Sequence, residues 1–150
     1  MTKTLYLMQG VPGSGKSFMA KIIADQTEGK IYSTDALWYD DQGKYNFDPD
    51  KLGEKHRLNQ ALVSEAMVDG RESIIVDNTN LTQDAIKPYV LLAEIHGYLI
   101  QVVRVSCDPL VARERNAQRP EDRRVPDDVV HRMEEKMVEL THHLTAVKGY

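Results

Sequence analysis

At 150 residues the chain has the size of one ordinary domain, with room for a single substantial core. Its 41% hydrophobic and 28% charged residues fit a soluble globular protein, and a net charge of −4 means that any nucleic-acid contact must rest on a local patch. One cysteine, Cys107, excludes an intrachain disulfide and a zinc site built from cysteine pairs.

The opening residues MTKTLYLMQG carry no long apolar segment, so a cytoplasmic protein without membrane contact is expected. The run TLYLMQ (4–9) reads as a first strand, and GVPGSGKS (10–17) follows it directly. That octapeptide matches G-x-x-x-x-G-K-[ST], which turns backbone N–H groups toward phosphate oxygens at a helix N-terminus. Gly10, Pro12, Gly13, Ser14 and Gly15 are assigned to this cradle. Lys16 is expected to neutralise the β- and γ-phosphates of ATP, and the Ser17 hydroxyl to ligate Mg²⁺. A helix follows, with Phe18, Ile22 and Ile23 available for its apolar face.

KIYST (30–34) is the second and weakest strand run, and Asp35 ends it. A carboxylate there can accept a proton from an incoming hydroxyl, or it can cap a short helix starting at Ala36; position alone leaves both open. A helix over roughly 50–69 places Leu58, Ala61, Leu62, Glu65 and Ala66 at helical spacing and stops at Gly70. SIIVD (73–77) is the third strand, and Asp77 resembles a magnesium-coordinating aspartate acting through water. Asn78, Thr79 and Asn80 come next and either hydrogen-bond an acceptor or hold the loop.

The next helix is expected to start at Thr82 as N-cap and stop at Gly97, with Pro88 kinking it or delaying its start. YLIQVVRV (98–105) is the fourth strand, followed by a short helix from about Pro109. RERNAQRPEDRR (113–124) sets five arginines against three acids. Arg115 and Arg119 share a face if the helix runs that far, and Pro120 then breaks it. The segment reads as a mobile lid over about 116–125 whose guanidinium groups stabilise transition-state charge, against the plainer reading of a solvated turn. A last helix opens near VPDD with Val129, Val130, Met133 and Met137 on one stripe, and the tail 141–150 is expected to be frayed or weakly packed.

Strands alternating with helices predict an α/β fold: a parallel sheet covered on both faces, with ligands at the strands' C-terminal edge. A carboxylate beside an acceptor and an arginine lid favour a kinase over a motor or switch. GVPGSGKS, the aspartate closing the second strand, DNTNL after the third, and RERNAQR…RVPDDVV together resemble the 5′-kinase module of bacteriophage-type polynucleotide kinases. The similarity runs from about Thr4 to Met137.

That resemblance implies a three-layer α/β/α P-loop kinase with a four-stranded parallel sheet ordered 2-3-1-4, formed by one domain over residues 1–150. It implies transfer of the γ-phosphate of ATP to the 5′-hydroxyl of DNA or RNA, with Mg²⁺ as cofactor and an end-exposed or single-stranded nucleic acid as partner, as in nucleic-acid repair. Asp35 is then the general base, Lys16 and Ser17 lie on phosphate and metal, and Arg115 and Arg119 are lid arginines. The module's acidic position aligns with Asn78, which leaves the metal role of Asp77 open. Where the phage-type pattern has an arginine three residues after the base, this chain has Trp38, either stacking on a base or filling the core. A small-acceptor kinase and an ATP-responsive binding module are the alternatives.

Overall fold

A computed structural model describes residues 2–137 and the backbone of 144–148. The elements in chain order are strand β1 (Thr4–Gln9), helix α1 (Lys16–Thr27), β2 (Lys30–Tyr32), α2 (Leu52–Val68), β3 (Ser73–Val76), α3 (Gln83–His96), β4 (Leu99–Ser106), α4 (Pro109–Ala117), α5 (Asp127–Lys136) and β5 (Leu144–Lys148). Short 3₁₀ turns occupy Asp35–Trp38, Pro49–Lys51 and Glu121–Arg123.

All strand pairings are parallel, in the order β2-β3-β1-β4-β5. The first four strands have the expected order 2-3-1-4. The tail differs from expectation: β5 adds a fifth strand beside β4, with Val102 opposite Leu144. Alternation along the central strands splits the core in two. Leu5, Leu7, Ile74, Val76 and Val102 face Val63, Met67, Ile86 and Tyr89 of α2 and α3. On the other face Met8, Ile75, Val103 and Val105 pack with Ala20 of α1. β3 is buried throughout, as befits a strand with neighbours on both sides and helices on both faces.

Two helix faces match expectation in part: Ile23, Leu62 and Ala66 pack against the core as expected, and other expected positions do not. In α1 the packed residues are Met19, Ala20, Ile23 and Ala24, and Phe18 is 59% exposed. In α2 the buried residues are Asn59, Val63, Ala66 and Met67, while Leu58 is 43% exposed. α3 is capped by Thr82, whose hydroxyl accepts from the Ala85 N–H at 3.2 Å, and Pro88 lies inside it without delaying its start. Among the described residues no helix is long and apolar enough to cross a membrane.

Candidate active site

The cradle between β1 and α1 is shaped by close backbone approaches. Gly13 has φ of +83°, and a Cβ there would run into the Ala112 carbonyl of α4. A Cβ on Gly10 would meet Ser14 Oγ at 2.6 Å and the Val105 carbonyl at 2.9 Å. Ser14 is 2% exposed, and its hydroxyl has no hydrogen-bond partner among the described residues. A buried hydroxyl without a partner, set in a turn at a helix N-terminus, suits an anion as its missing acceptor.

The end of the neighbouring strand β3 pins this turn. Lys16 Nζ meets Asp77 Oδ1 at 2.6 Å, with side chains 12% and 7% exposed. The Gly10 N–H donates to the Thr79 carbonyl at 3.2 Å. Asn80, at φ +48° and 3% exposed, donates its amide to the Met8 carbonyl at 2.6 Å. Asn78 Oδ1 accepts from the Thr34 N–H at 2.9 Å, and its Nδ2 donates to the Tyr89 hydroxyl at 3.4 Å. Asn59 donates to the same hydroxyl at 2.9 Å. These amides and the Thr79 carbonyl therefore tie the ends of β1, β2 and β3 together, with Thr34 held directly before Asp35.

Asp35 opens the Asp35–Trp38 turn and is exposed. Only β3 separates β2 from β1, so Asp35 and the cradle lie on the same sheet edge, about two strand spacings or ~10 Å apart. Its Oδ1 accepts a hydrogen bond from the Tyr45 hydroxyl at 2.8 Å. Burial, and then the Asp35 carboxylate, push the Tyr45 phenol above its ordinary range, while the Arg119 guanidinium pulls the other way. Nothing in the spacing of Tyr45 marked it beforehand.

Trp38 is 5% exposed and packs edge-on against Phe47, with centroids 4.9 Å apart. Lys55 Nζ lies 5.5 Å from the Trp38 ring centre. Of the two aromatic rings, Phe47 is the exposed one, at 50%. Both border an open groove of about 450 Å³ that Lys51 and Asp48 also line.

The arginines divide their work. Arg115 Nη1 donates to the Gly13 carbonyl at 3.4 Å, which brings it to the cradle. Arg113 instead binds Glu134 of α5 at 3.0 Å. Helix α4 ends at Ala117, short of Arg119, so Arg115 and Arg119 do not share a helical face, yet the Arg119 charge acts on Tyr45. Arg123 donates to the Tyr39 hydroxyl at 2.8 Å. The loop over 116–125 is closed at its base by Asn116, 1% exposed, whose Oδ1 accepts from the Val125 N–H at 3.0 Å and whose amide donates to the Val125 carbonyl. Sequence reasoning overlooked this clamp.

No group of three His, Cys, Asp or Glu side chains that could hold a metal exists among the described residues. Ser17 and Asp77 are oxygen donors of the kind Mg²⁺ takes when phosphates complete its shell, so the donor set fits that ion.

Comparison with known proteins agrees with this architecture. Residues 5–140 match the family model described as an AAA domain. Human NEDD4-binding protein 2 is 45% identical over 97 residues, 64% of this chain and 5% of that protein. The 2′,3′-cyclic-nucleotide 3′-phosphodiesterase of Pongo abelii is 28% identical over 126 residues, 76% of this chain and 28% of that protein. The chain thus spans a minor part of these relatives, which are animal proteins and not phage kinases. Among solved structures, the Pnkp1/Rnl/Hen1 RNA repair complex superposes with a TM-score of 0.75 at 18% identity, over 91% of this chain and 44% of that one. Chaetomium thermophilum Kti12 superposes with a TM-score of 0.74 at 16% identity, over 96% and 88% of the two chains. The chain belongs to this AAA domain family and has the P-loop kinase fold.

Proposed function

We propose that the protein is an ATP-dependent kinase that phosphorylates the 5′-hydroxyl of DNA or RNA. The observation that carries this is one sheet edge holding a phosphate cradle whose Ser14 hydroxyl has no partner among the described residues, an exposed carboxylate at Asp35, and two arginines, Arg115 at the Gly13 carbonyl and Arg119 acting on Tyr45 beside Asp35. Asp35 takes the proton of the acceptor hydroxyl. That oxygen bonds to the γ-phosphorus as the bond to the β–γ bridging oxygen breaks, and ADP leaves. Lys16, Arg115 and Arg119 stabilise the charge on the transferring group. Ser17 and Asp77 would hold Mg²⁺, which would supply neutralisation of phosphate charge.

The polynucleotide acceptor is supported by the TNL and RNxxR…VP elements, residues 79–81 and 115–126. It also agrees in kind with a relative named for cyclic nucleotides and a neighbour from an RNA repair complex.

The test is transfer of label from γ-labelled ATP to 5′-hydroxyl DNA, 5′-hydroxyl RNA and a nucleoside panel. Oligonucleotide labelling is expected, and Asp35→Asn should cut it by about 10²–10⁴-fold with ATP affinity nearly unchanged. Labelling of nucleosides alone would replace the polynucleotide by a small acceptor. Wild-type transfer by Asp35→Asn would remove Asp35 from the mechanism.

A further inference from the structure

Resting on that kinase reading, we propose that Tyr45 is the positioning residue of the base: its hydroxyl fixes one oxygen of Asp35 and leaves the other for the acceptor. An exposed aspartate on a single 3₁₀ turn otherwise has free rotamers, which would dilute the productive geometry. The Tyr45 hydroxyl, 2.8 Å from Oδ1, is the one hydrogen-bond or ion-pair partner the Asp35 side chain has among the described residues.

Tyr45 can do this because the stretch YDDQGKYNF (39–47) folds back on itself tightly. Tyr39 and Tyr45 pair as an antiparallel bridge, with rings 5.2 Å apart and inclined by 63°. The Asp40 N–H donates to the Lys44 carbonyl at 2.9 Å, and Gly43 takes φ of +78° at the turn. The Asp40 carboxylate accepts from the N–H groups of Lys44 and Gln42, each at 2.9 Å, and from the Asn46 amide at 2.9 Å. Those bonds, the Lys44 N–H foremost, hold its carboxyl below the usual range. The Asn46 N–H closes the other side on the Trp38 carbonyl at 2.8 Å. Tyr45 is thereby carried on a braced hairpin, and its hydroxyl points at the base.

The charged and titratable groups acting on Tyr45 are Asp35, Arg119 and Tyr39, and Tyr39 in turn receives Arg123 of the lid. The phenol stays neutral, as a donor must, because burial and the neighbouring carboxylate both oppose its ionisation.

Two measurements test the proposal. In oligonucleotide phosphorylation, Tyr45→Phe should lower kcat by about 10- to 100-fold with the ATP KM unchanged. A Tyr45→Phe enzyme with wild-type kcat, beside an inactive Asp35→Asn enzyme, overturns the positioning role and leaves the kinase reading standing. An active Asp35→Asn enzyme fails the base itself, and this proposal with it. The second measurement needs no turnover: at neutral pH the ¹³C-tyrosine NMR signal of Tyr45 should shift in Asp35→Asn relative to wild type, because its hydroxyl loses a charged acceptor. An unchanged signal would show that the contact is not made.

Discussion

Lys16 and Asp77 meet at 2.6 Å in a site where neither side chain is more than 12% exposed. Removing one member of so enclosed a pair strands the other, at about 3–5 kcal/mol. Asp77→Ala should therefore lower urea-derived stability by an amount at the lower end of that range, because the lysine can lean toward solvent. Lys16→Met/Asp77→Leu should recover most of it, as an apolar pair of similar volume leaves no charge behind. A double variant as unstable as Asp77→Ala would show that the pair contributes through packing alone. The sequence marked both residues, since one belongs to the glycine-rich motif and the other ends an apolar strand. It could not reveal that they bind each other across 61 positions. Nor could it reveal that Asn78 and Asn59 converge on one tyrosine hydroxyl, because a buried amide in a helix reads as a surface residue until its partner is in view.

At the scale of elements, the loop over 116–125 is closed at its base by one side chain, Asn116. Asn116 stands on the last full turn of α4 and binds both backbone groups of Val125, so the intervening residues form a closed loop that carries Arg119 and Arg123. Asn116→Ala leaves those groups without partners, at about 1–3 kcal/mol if no water replaces the amide. The cost should fall on the lid and spare the sheet. Amides of 118–125 should lose roughly tenfold or more in hydrogen-exchange protection, and kcat should fall more than the ATP KM rises. Unchanged protection there would mean that the loop is held by something else. The loop after α4 was legible from Pro120, which acts locally. Its clamp was not, because Asn116 looked like one more polar residue in a charged run. The faces of α1 and α2 were misjudged for a related reason. Apolar spacing in α2 admits two stripes about 100° apart, and the buried one includes Asn59, which only the Tyr89 hydroxyl justifies.

Across the whole molecule, the parallel order of the first four strands followed from the alternation of strands and helices with the P-loop resemblance. The β5 strand did not follow, because a five-residue run such as LTAVK becomes a strand only beside an open sheet edge such as that of β4. The same dependence on tertiary context gives the domain a pH response. His56 of α2 is half-buried near the end of β2, its Nδ1 3.4 Å from the Thr34 hydroxyl, and burial lowers its pKa from the ordinary imidazole value of about 6.5. Between the lowered folded value and that unfolded value, the unfolded chain holds a proton that the folded protein does not. Stability therefore rises with pH through this window. The contribution is fully present above pH of about 6.5, is lost as the pH falls through the folded value, and levels off once the folded form is also protonated. His56→Gln keeps a polar group but removes the titration, so the difference between wild-type and variant unfolding free energies should slope between pH 5 and 7. The other four histidines are common to both proteins and cancel in that difference. Parallel stability curves over this range would mean that the folded protein charges His56 as readily as the unfolded chain does. The end of β2, where Thr34 sets the position of Asp35, would then be open to water from the α2 side.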